Sequence, residues 1–368
     1  MIKKIVAGSL LYVTSSYLWA EESEAFHWAH TLILESITNL DGGLATGTRN
    51  LGNLDLTLTI DTQAAGWWDG GKVFLYALGD YGKPPSALTG ELQTLSNIEA
   101  NNNFLLYECW YQHSFADGAI KLLVGLHDYN STFYALESAG LFNLSSMGIG
   151  PEVAQVSPSI FPVTSPTVHL TFSHKDQYFL FAVYDGVPGD PAHPRGTHIK
   201  FEKDDGVFIA TEWGFAHEND YKIGLGGWRH TTKVENPIDG TPSKSNGGIY
   251  LIGEKYWNEK LSTFFQYGKT DQHKNQLGEY LGLGLSYKNW LIEGDNIGLA
   301  SARAKNSDDY LAFNPDFFSA ETTTELTYFR PLTEKVSFQT SVYSVEHPSM
   351  APDIKNSLAV GLRFYFEF

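Results

Sequence analysis

Apolar and polar residues alternate with a period of two along most of this chain. The alternating segments run for about 8 to 12 residues, the length that a tilted strand needs to cross a bilayer. A period of two places successive side chains on opposite faces of a β-strand. The pattern therefore predicts an all-β protein. Its clearest strands are expected at 54–62, 119–127, 221–230, 280–287 and 358–368.

The connections between these segments have two lengths. In a barrel of the bacterial outer membrane both termini lie in the periplasm, periplasmic turns are short and external loops are long, so the two kinds alternate. Alternation holds for sixteen strands if the first covers 31–39 and if 187–205 is one loop before a strand at 206–215. We therefore predict a transmembrane antiparallel β-barrel of sixteen strands. Its other long loops are expected at 81–104, 128–166, 231–246, 301–320 and 347–354.

The carboxy-terminal segment supports the membrane barrel independently. A terminal aromatic residue on an alternating strand resembles the assembly signal of outer-membrane proteins, so barrel-assembly machinery is an expected partner through Phe368. A soluble β-sandwich and a β-propeller also use alternating strands, but alternating loop lengths and this terminal residue favour the membrane barrel. The residues that share one face of the last strand are Leu358, Val360, Leu362, Phe364, Phe366 and Phe368.

The amino terminus predicts export. Lys3 and Lys4 precede a largely apolar stretch that ends in Trp19 and Ala20, which is the layout of a signal peptide. We expect a signal peptide at 1–20, a short periplasmic lead-in at 21–30 and the outer-membrane barrel at 31–368. The predicted location is the bacterial outer membrane, with its lipid as a partner.

Composition agrees with this class. Aromatic residues make up 14% of the chain and mean hydropathy is −0.21. After the signal, no stretch of about 18 apolar residues could form a spanning helix. The formal net charge of −17 argues against nucleic acid as a partner. The single cysteine, Cys109, excludes an intrachain disulfide.

The alternation also predicts which side chains line the lumen. A barrel of this width cannot be filled by side chains, so inward positions are wet and polar while outward positions meet lipid. On 106–112 this assigns Tyr107, Cys109 and Tyr111 to the lipid face. The expected inward residues are Asp55, Asp61, Glu108, Trp110, Gln112, Lys121, His127, Glu212, Lys222, Trp228, Glu254, Gln266, Gln339 and Arg363.

The long segment 128–166 contains four prolines and is expected to be ordered. If it folds into the channel, its acids would face bases of the wall and create a constriction with a transverse field. The alternative is an external cap with ordinary solvated acids. The loop acids are Asp128, Glu137 and Glu152, and the wall bases are Lys121, Lys222 and Arg363.

These inward residues suit a sugar. Sugar hydroxyls exchange hydrogen bonds with carboxylates, amides and guanidinium groups, and the C–H face of a sugar ring stacks on tryptophan. The competing interpretation is that any wet lumen is polar and that some tryptophans only anchor the barrel at the interface.

Motifs for catalysis are incomplete. The segment 66–73 lacks the Ser or Thr of a P-loop because Val73 occupies that place, and His217-Glu218 lacks the second histidine of a zinc protease because Tyr221 stands there. No nucleophile elbow occurs, and no cofactor or metal is expected. A barrel enzyme stays open as an alternative, and a Ser–His–carboxylate cluster on one face would distinguish it.

Recognisable motifs occur in six segments: 54–71, 96–100, 106–111, 130–142, 148–152 and 158–162. In combination these segments resemble the carbohydrate-selective porin (OprB) family. The resemblance implies a sixteen-stranded outer-membrane porin that lets sugars, glucose-like ones above all, diffuse passively into the periplasm. It does not transfer sugar contacts position by position, so Glu108, Trp110 and the loop at 130–162 are proposed from the lumen pattern.

Three questions stay open within this interpretation. The acidic excess favours a general or cation-preferring porin as the first alternative. A structural or adhesive barrel plugged by its own loop is another, and blocked conductance would support it. The third is the oligomeric state, for which a homotrimer is one candidate.

Overall fold

The structure, a computed structural model, describes residues 25–368. The predicted signal peptide at 1–20 lies outside this range. Within it, sixteen antiparallel strands form a closed barrel in which each strand pairs with its sequence neighbours and β1 pairs with β16. The predicted sixteen-stranded antiparallel barrel is confirmed.

The strands have the lengths of membrane-crossing segments. Those of the first half are β1 (Phe26–Gly43), β2 (Gly47–Asp61), β3 (Gly71–Gly82), β4 (Asn103–Phe115), β5 (Ile120–His127), β6 (Ser165–His174), β7 (Gln177–Asp185) and β8 (Val207–His217). Those of the second half are β9 (Tyr221–Glu235), β10 (Pro242–Tyr256), β11 (Leu261–Thr270), β12 (Leu277–Lys288), β13 (Asn296–Asn306), β14 (Ala320–Pro331), β15 (Val336–Glu346) and β16 (Lys355–Glu367).

Short helices occur only in the connections of the described chain. No helix within residues 25–368 is long and apolar enough to cross a membrane. The α-helices are α1 (Ser86–Thr89), α2 (Ser145–Gly148), α3 (Pro151–Ala154) and α4 (Asp308–Phe313), and the 3-10 helices are Ala116–Gly118, Tyr129–Ser131, Ser138–Leu141 and Pro348–Met350.

Alternation along the strands separates an apolar outer face from a polar and small-residue inner face. On β12, Leu281, Leu283 and Leu285 are exposed on the outside, whereas Tyr280 and Gly282 face inward. The barrel closes between β1 and β16, where Glu35 pairs with Arg363. β1 begins at Phe26, five residues before the predicted start of the barrel.

The carboxyl terminus is held at this closure. His30 Nδ1 lies 2.9 Å from the backbone oxygen of Phe368, and the two rings stack at 5.9 Å between centroids. The last residue therefore completes the seam between the first and last strands.

The two ends of the barrel differ in their connections. Connections at the end that carries both termini are mostly short, such as 175–176 and 218–220, and the longest loops lie at the opposite end, including the predicted 187–205 loop before β8. Two predicted loops are shorter than expected, because β9 and β10 extend to Glu235 and from Pro242, and β13 extends to Asn306.

Two long connections fold into the barrel. We call residues 83–102 loop A and residues 128–164 loop B. The loops are joined by backbone hydrogen bonds, from Asn97 N to Asn143 O at 2.7 Å and from Ser145 N to Thr94 O at 3.1 Å. Together they form one inserted body inside the wall. The inward folding of loop A was not anticipated from the sequence.

The hydrophobic core lies between loop B and the inner wall. Large loop side chains such as Phe142 and Met147 cluster with the wall residues Phe264 and Tyr280. Small wall residues make room for them, because a Cβ on Gly298 would meet Leu141 and Phe142, and one on Gly268 would overlap the carboxyl of Glu152. The barrel interior is therefore partly a packed core.

Candidate functional site

Carboxylates on the inner wall hold loop B in place. Glu325 of β14 accepts hydrogen bonds from Asn143 N at 3.1 Å and Leu144 N at 2.9 Å, and from the Ser341 hydroxyl at 3.0 Å. Glu254 of β10 accepts from both the amide and the hydroxyl of Ser138, at 2.8 and 2.7 Å. Charge-assisted hydrogen bonds to backbone amides are among the strong ones. These acids position the loop.

Glu212 of β8 has the same role at the beginning of loop B. It accepts from Tyr134 N at 2.9 Å and from the hydroxyls of Tyr178 and Tyr250 at 2.8 and 2.7 Å. Its exposure is 0%, so it has no surface left for a solute. Lys222 lies 3.7 Å from Glu212 and donates to the backbone oxygen of Ala135 at 2.7 Å.

Loop A is anchored to β14 and to β1. Glu321 of β14 accepts from Leu92 N at 2.8 Å and Gln93 N at 3.1 Å. Glu35 of β1 accepts from the hydroxyl of Ser96. Both acids are buried. The lumen acids therefore act mainly as anchors for the inserted loops.

Arg363 belongs to this anchor system. Its Nε and one terminal nitrogen donate to the two carboxylate oxygens of Glu35 at 3.1 and 3.0 Å, and it also donates to Asn97 and Ser96 of loop A at 2.9 and 3.1 Å. It is only 2% exposed. The expected opposition of Arg363 to acids of loop B is therefore not found, because its register partner across the seam already neutralises it.

The acids of loop B also differ from the expected transverse field. Asp128 accepts from Asn130 N at 2.7 Å and from the hydroxyl of Tyr107 at 2.6 Å. Glu152 is fully buried and accepts from the hydroxyl of Tyr134 at 3.0 Å. Of the three, Glu137 alone is exposed. A field between these acids and the wall bases is reduced because most of the charges are buried and paired locally.

Burial raises the pKa of Glu152 to about 7, from 4.5. A carboxyl with a raised pKa holds its proton more tightly in the folded state, so its contribution to folding is fully present below pH 4.5 and is lost as the pH rises through 7. Replacing Glu152 by glutamine removes this loss. We expect E152Q to unfold at a higher temperature than the parent at pH 8 and at a similar temperature at pH 4.5.

Thermal unfolding in detergent from pH 4 to pH 8 measures this effect. The slope for one group is at most about 1.4 kcal/mol per pH unit. Glu137→Gln, which changes an exposed acid of the same loop, should keep the parental pH profile. Identical profiles for E152Q and the parent would contradict the prediction.

The inner wall is covered unevenly by the loops. Inward side chains on β8 to β15 are mostly buried beneath loops A and B, whereas several on β2 to β5 keep partial exposure. Within residues 25–368, neither loop forms a hydrogen bond to the partly exposed side chains on β2 and β3. The open side of the lumen therefore lies along β2 to β5. Its partly exposed side chains are Asp55, Thr57, Phe74, Tyr76, Trp110, Gln112 and Lys121.

Five residues form what we call the aromatic–carboxylate patch: Asp55, Phe74, Tyr76, Glu108 and Trp110. Four of them are partly exposed on this open side, whereas Glu108 is buried at its edge and also accepts from Asp128 N of loop B at 3.2 Å. The rings of Phe74 and Trp110 stack with centroids 5.0 Å apart and an angle of 30° between planes. The hydroxyl of Tyr76 donates to Asp55 at 2.7 Å, and the indole nitrogen of Trp110 donates to Glu108 at 3.0 Å. The patch thus presents ring faces and oriented carboxylates side by side.

The expected outward position of Tyr107 is wrong. The pairing of β3 with β4 shifts register between Tyr76 and Ala77, whose partners are Glu108 and Leu106. Tyr107 is therefore an unpaired bulge residue, and it turns inward to donate to Asp128. A bulge places two consecutive side chains on one face, so Tyr107 and Glu108 both lie inside.

Sequence reasoning missed two members of the patch. Phe74 and Tyr76 alternate with Val73 and Leu75 on β3, and reading Val73 and Leu75 as the lipid face would have turned both aromatic residues inward. The anchors Glu35, Glu321 and Glu325 were also missed, because their role depends on loop contacts that have no sequence signature.

Comparisons with known proteins agree with this architecture. The carbohydrate-selective porin (OprB) family matches residues 45–368, well over half of the chain. The chain belongs to this family. Sequence comparison with curated proteins gave no match. Family membership and the fold together make this a carbohydrate-selective channel protein of the outer-membrane type.

Solved structures share the fold of this family member. Pseudomonas putida OprB at high pH superimposes with a TM-score of 0.81 at 16% identity, covering 94% of each chain. The low-pH structure of that protein gives 0.61 at 14% identity over 94% of this chain and 93% of the other. The outer membrane channel DcaP of Acinetobacter baumannii gives 0.61 at 8% identity, over 95% and 99%.

Proposed function

We propose that this chain is a passive pore of the bacterial outer membrane through which small sugars, glucose-like monosaccharides foremost, diffuse into the periplasm without a catalytic step. The termini face the periplasm, since short turns are found on that side of such barrels. Loops A and B then enter from the external side.

Barrel-assembly machinery recognises the strand that ends in Phe368. A homotrimer stays a prediction, which native mass spectrometry in detergent measures.

The chemistry of the aromatic–carboxylate patch suits a sugar ring. Aromatic faces stack on the C–H face of a pyranose, and an ionised carboxylate has about four acceptor positions for hydroxyl groups. Tyr76 occupies one of them on Asp55 and so orients the remaining ones toward the lumen. Glu108 accepts from both Trp110 and the amide of Asp128, and it orients the indole ring of Trp110. Contacts of this kind are individually weak, which a pore needs because the sugar must also leave.

The observation that carries the proposal is the place of the patch. Four of its residues, Asp55, Phe74, Tyr76 and Trp110, are partly exposed on the part of the wall that loops A and B leave largely uncovered, and Glu108 is buried beside them where loop B begins. A solute that crosses the barrel on this side passes the patch. Stacking and hydroxyl binding there favour a ring-shaped sugar over another solute of the same size.

Current through single pores in a planar bilayer tests this proposal. We expect glucose to reduce the current with a saturable dependence on concentration, since an occupied patch obstructs ions. An acyclic hexitol, which has hydroxyls but no ring face, should reduce it much less. Equal effects of the two solutes would reduce the function to a general pore.

Replacing Trp110 by alanine should weaken the glucose block. Loss of one stacking ring is expected to raise the half-blocking concentration roughly tenfold, and Trp110→Phe should restore part of the effect. Trp213→Ala is the matched control, because Trp213 lies on the outer face and is 48% exposed. A half-blocking concentration that is the same in W110A and the parent would show that the patch does not bind the sugar.

A cation-preferring general pore is the second candidate. Four acids, Asp55, Asp61, Asp80 and Glu108, face inward on β2 to β4. Reversal potentials in a salt gradient measure the preference for cations over anions. A strong cation preference, with no reduction of the current by glucose, would favour the general pore.

A further inference from the structure

A belt of basic residues lies on the outer face of β9 to β13, at the end opposite the termini. On β13 the outward positions change along the strand from Leu299 to Ser301, then Arg303 and Lys305. On β11 they change from Phe265 through Tyr267 to Lys269. The apolar band therefore ends, and positive charge begins, at a similar place on neighbouring strands. We define the basic belt as Arg229, Lys269, Lys274, Arg303 and Lys305.

Two residues of the basic belt line a shallow surface groove of about 390 Å³. The guanidinium Nε of Arg229 donates to the hydroxyl of Ser245 at 2.8 Å, which leaves its two terminal nitrogens without a partner among residues 25–368. Lys274 donates to the backbone oxygen of Ser245 at 2.7 Å and lies 3.3 Å from Asp271. The groove thus holds two cations and one acid.

Trp228, which also borders the groove, belongs to the inner face of β9, where its ring stacks on Phe208. The side chains that the groove offers to a ligand on the outer surface are therefore those of Arg229, Ser245, Asp271 and Lys274.

The rest of the belt adds charge beside the groove. Lys269 and Arg303 are exposed and form no hydrogen bond or ion pair within residues 25–368. Lys305 lies 3.9 Å from Glu279, whose carboxylate also accepts from the hydroxyl of Tyr267 at 2.7 Å. The belt has five bases beside two acids, Asp271 and Glu279, in a chain whose formal net charge is −17.

We propose that this groove binds a phosphate group of a phosphorylated glycolipid in the outer leaflet, an inference that rests on the proposed outer-membrane location. Headgroups lie where the apolar band ends, and basic residues at that height attract anionic lipids. Guanidinium groups match phosphate geometry, and a lysine adds a point charge. The acyl chains would lie along the exposed apolar residues below, such as Leu225, Ile249 and Leu281.

Native mass spectrometry of the full barrel in detergent, titrated with diphosphoryl lipid A, tests the proposal. The double variant Arg229→Gln/Lys274→Gln should bind this lipid roughly thirty-fold more weakly than the parent. The matched control is Lys260→Gln/Arg330→Gln, which removes two exposed bases near the other end and should bind like the parent. Lipid A without its phosphates should bind weakly to all three proteins.

Two outcomes would overturn the inference. Equal lipid binding by the groove variant and the parent would exclude this groove as the site. The second outcome is that millimolar inorganic phosphate stabilises the parent, while the diphosphoryl lipid binds no more tightly than its dephosphorylated form. That result would indicate a site for free anions.

Block of the pore current by glucose is measured on the same samples and should be unchanged in the groove variant. Its absence in the parent would count against the pore proposal alone.

Discussion

Replacing Glu325 by alanine is expected to raise the ion conductance of the pore roughly twofold and to remove its preference for glucose. Glu325 is the acceptor for two consecutive amides of loop B, at Asn143 and Leu144, and for the Ser341 hydroxyl. Each buried donor that loses its acceptor costs about 1–3 kcal/mol. Loop B should therefore leave the wall at this point, which widens the lumen.

Single-pore conductance and limited proteolysis measure this release together. Cleavage within loop B should become faster in E325A than in the parent. Glu346→Ala is the matched control, because Glu346 is an exposed acid on the neighbouring strand β15, and it should leave both readouts unchanged. Parental conductance with intact loop B in E325A would contradict an anchoring role for this carboxylate.

Replacing Arg363 by methionine should destabilise the barrel by about 3–5 kcal/mol, because Glu35 would remain buried without its partner. The pair joins the first strand to the last, and Arg363 also holds Ser96 and Asn97 of loop A. The loss should appear as a lower denaturant concentration at the midpoint of unfolding in detergent.

A double variant separates the charge from the packing. Glu35→Gln/Arg363→Met leaves no buried charge at the seam, so it should regain most of the stability lost in the single variant. Arg330→Met, at an exposed position of β14, should unfold like the parent. A single variant at Arg363 with parental stability would show that the seam does not depend on this ion pair.

The number and order of the strands could be predicted because lipid and water impose opposite requirements on alternate residues. Leu358 to Phe368 show this most clearly, since one face of that strand is uniformly apolar. The alternation of short and long connections then decided between competing divisions of the chain. This alternation correctly predicted that residues 187–205 form a single loop before β8.

The details of the lumen were less predictable for identifiable reasons. Aromatic side chains occupy both faces of β4, so nothing in the sequence marked the bulge that turns Tyr107 inward. Glu35 and Arg363 are separated by 328 positions, and only barrel closure brings them together. Glu325 and Glu321 are ordinary acids in the sequence, and their function follows from loop amides that approach them after the loops fold inward.

Entry of solutes into liposomes that contain the mature barrel tests the central claim most directly. The claim is that the aromatic–carboxylate patch on the open side of the lumen selects carbohydrate rings. Swelling should be several-fold faster in glucose than in an acyclic hexitol of nearly equal size, and a longer maltooligosaccharide should enter more slowly than glucose. Equal swelling rates for glucose and the hexitol would contradict the claim.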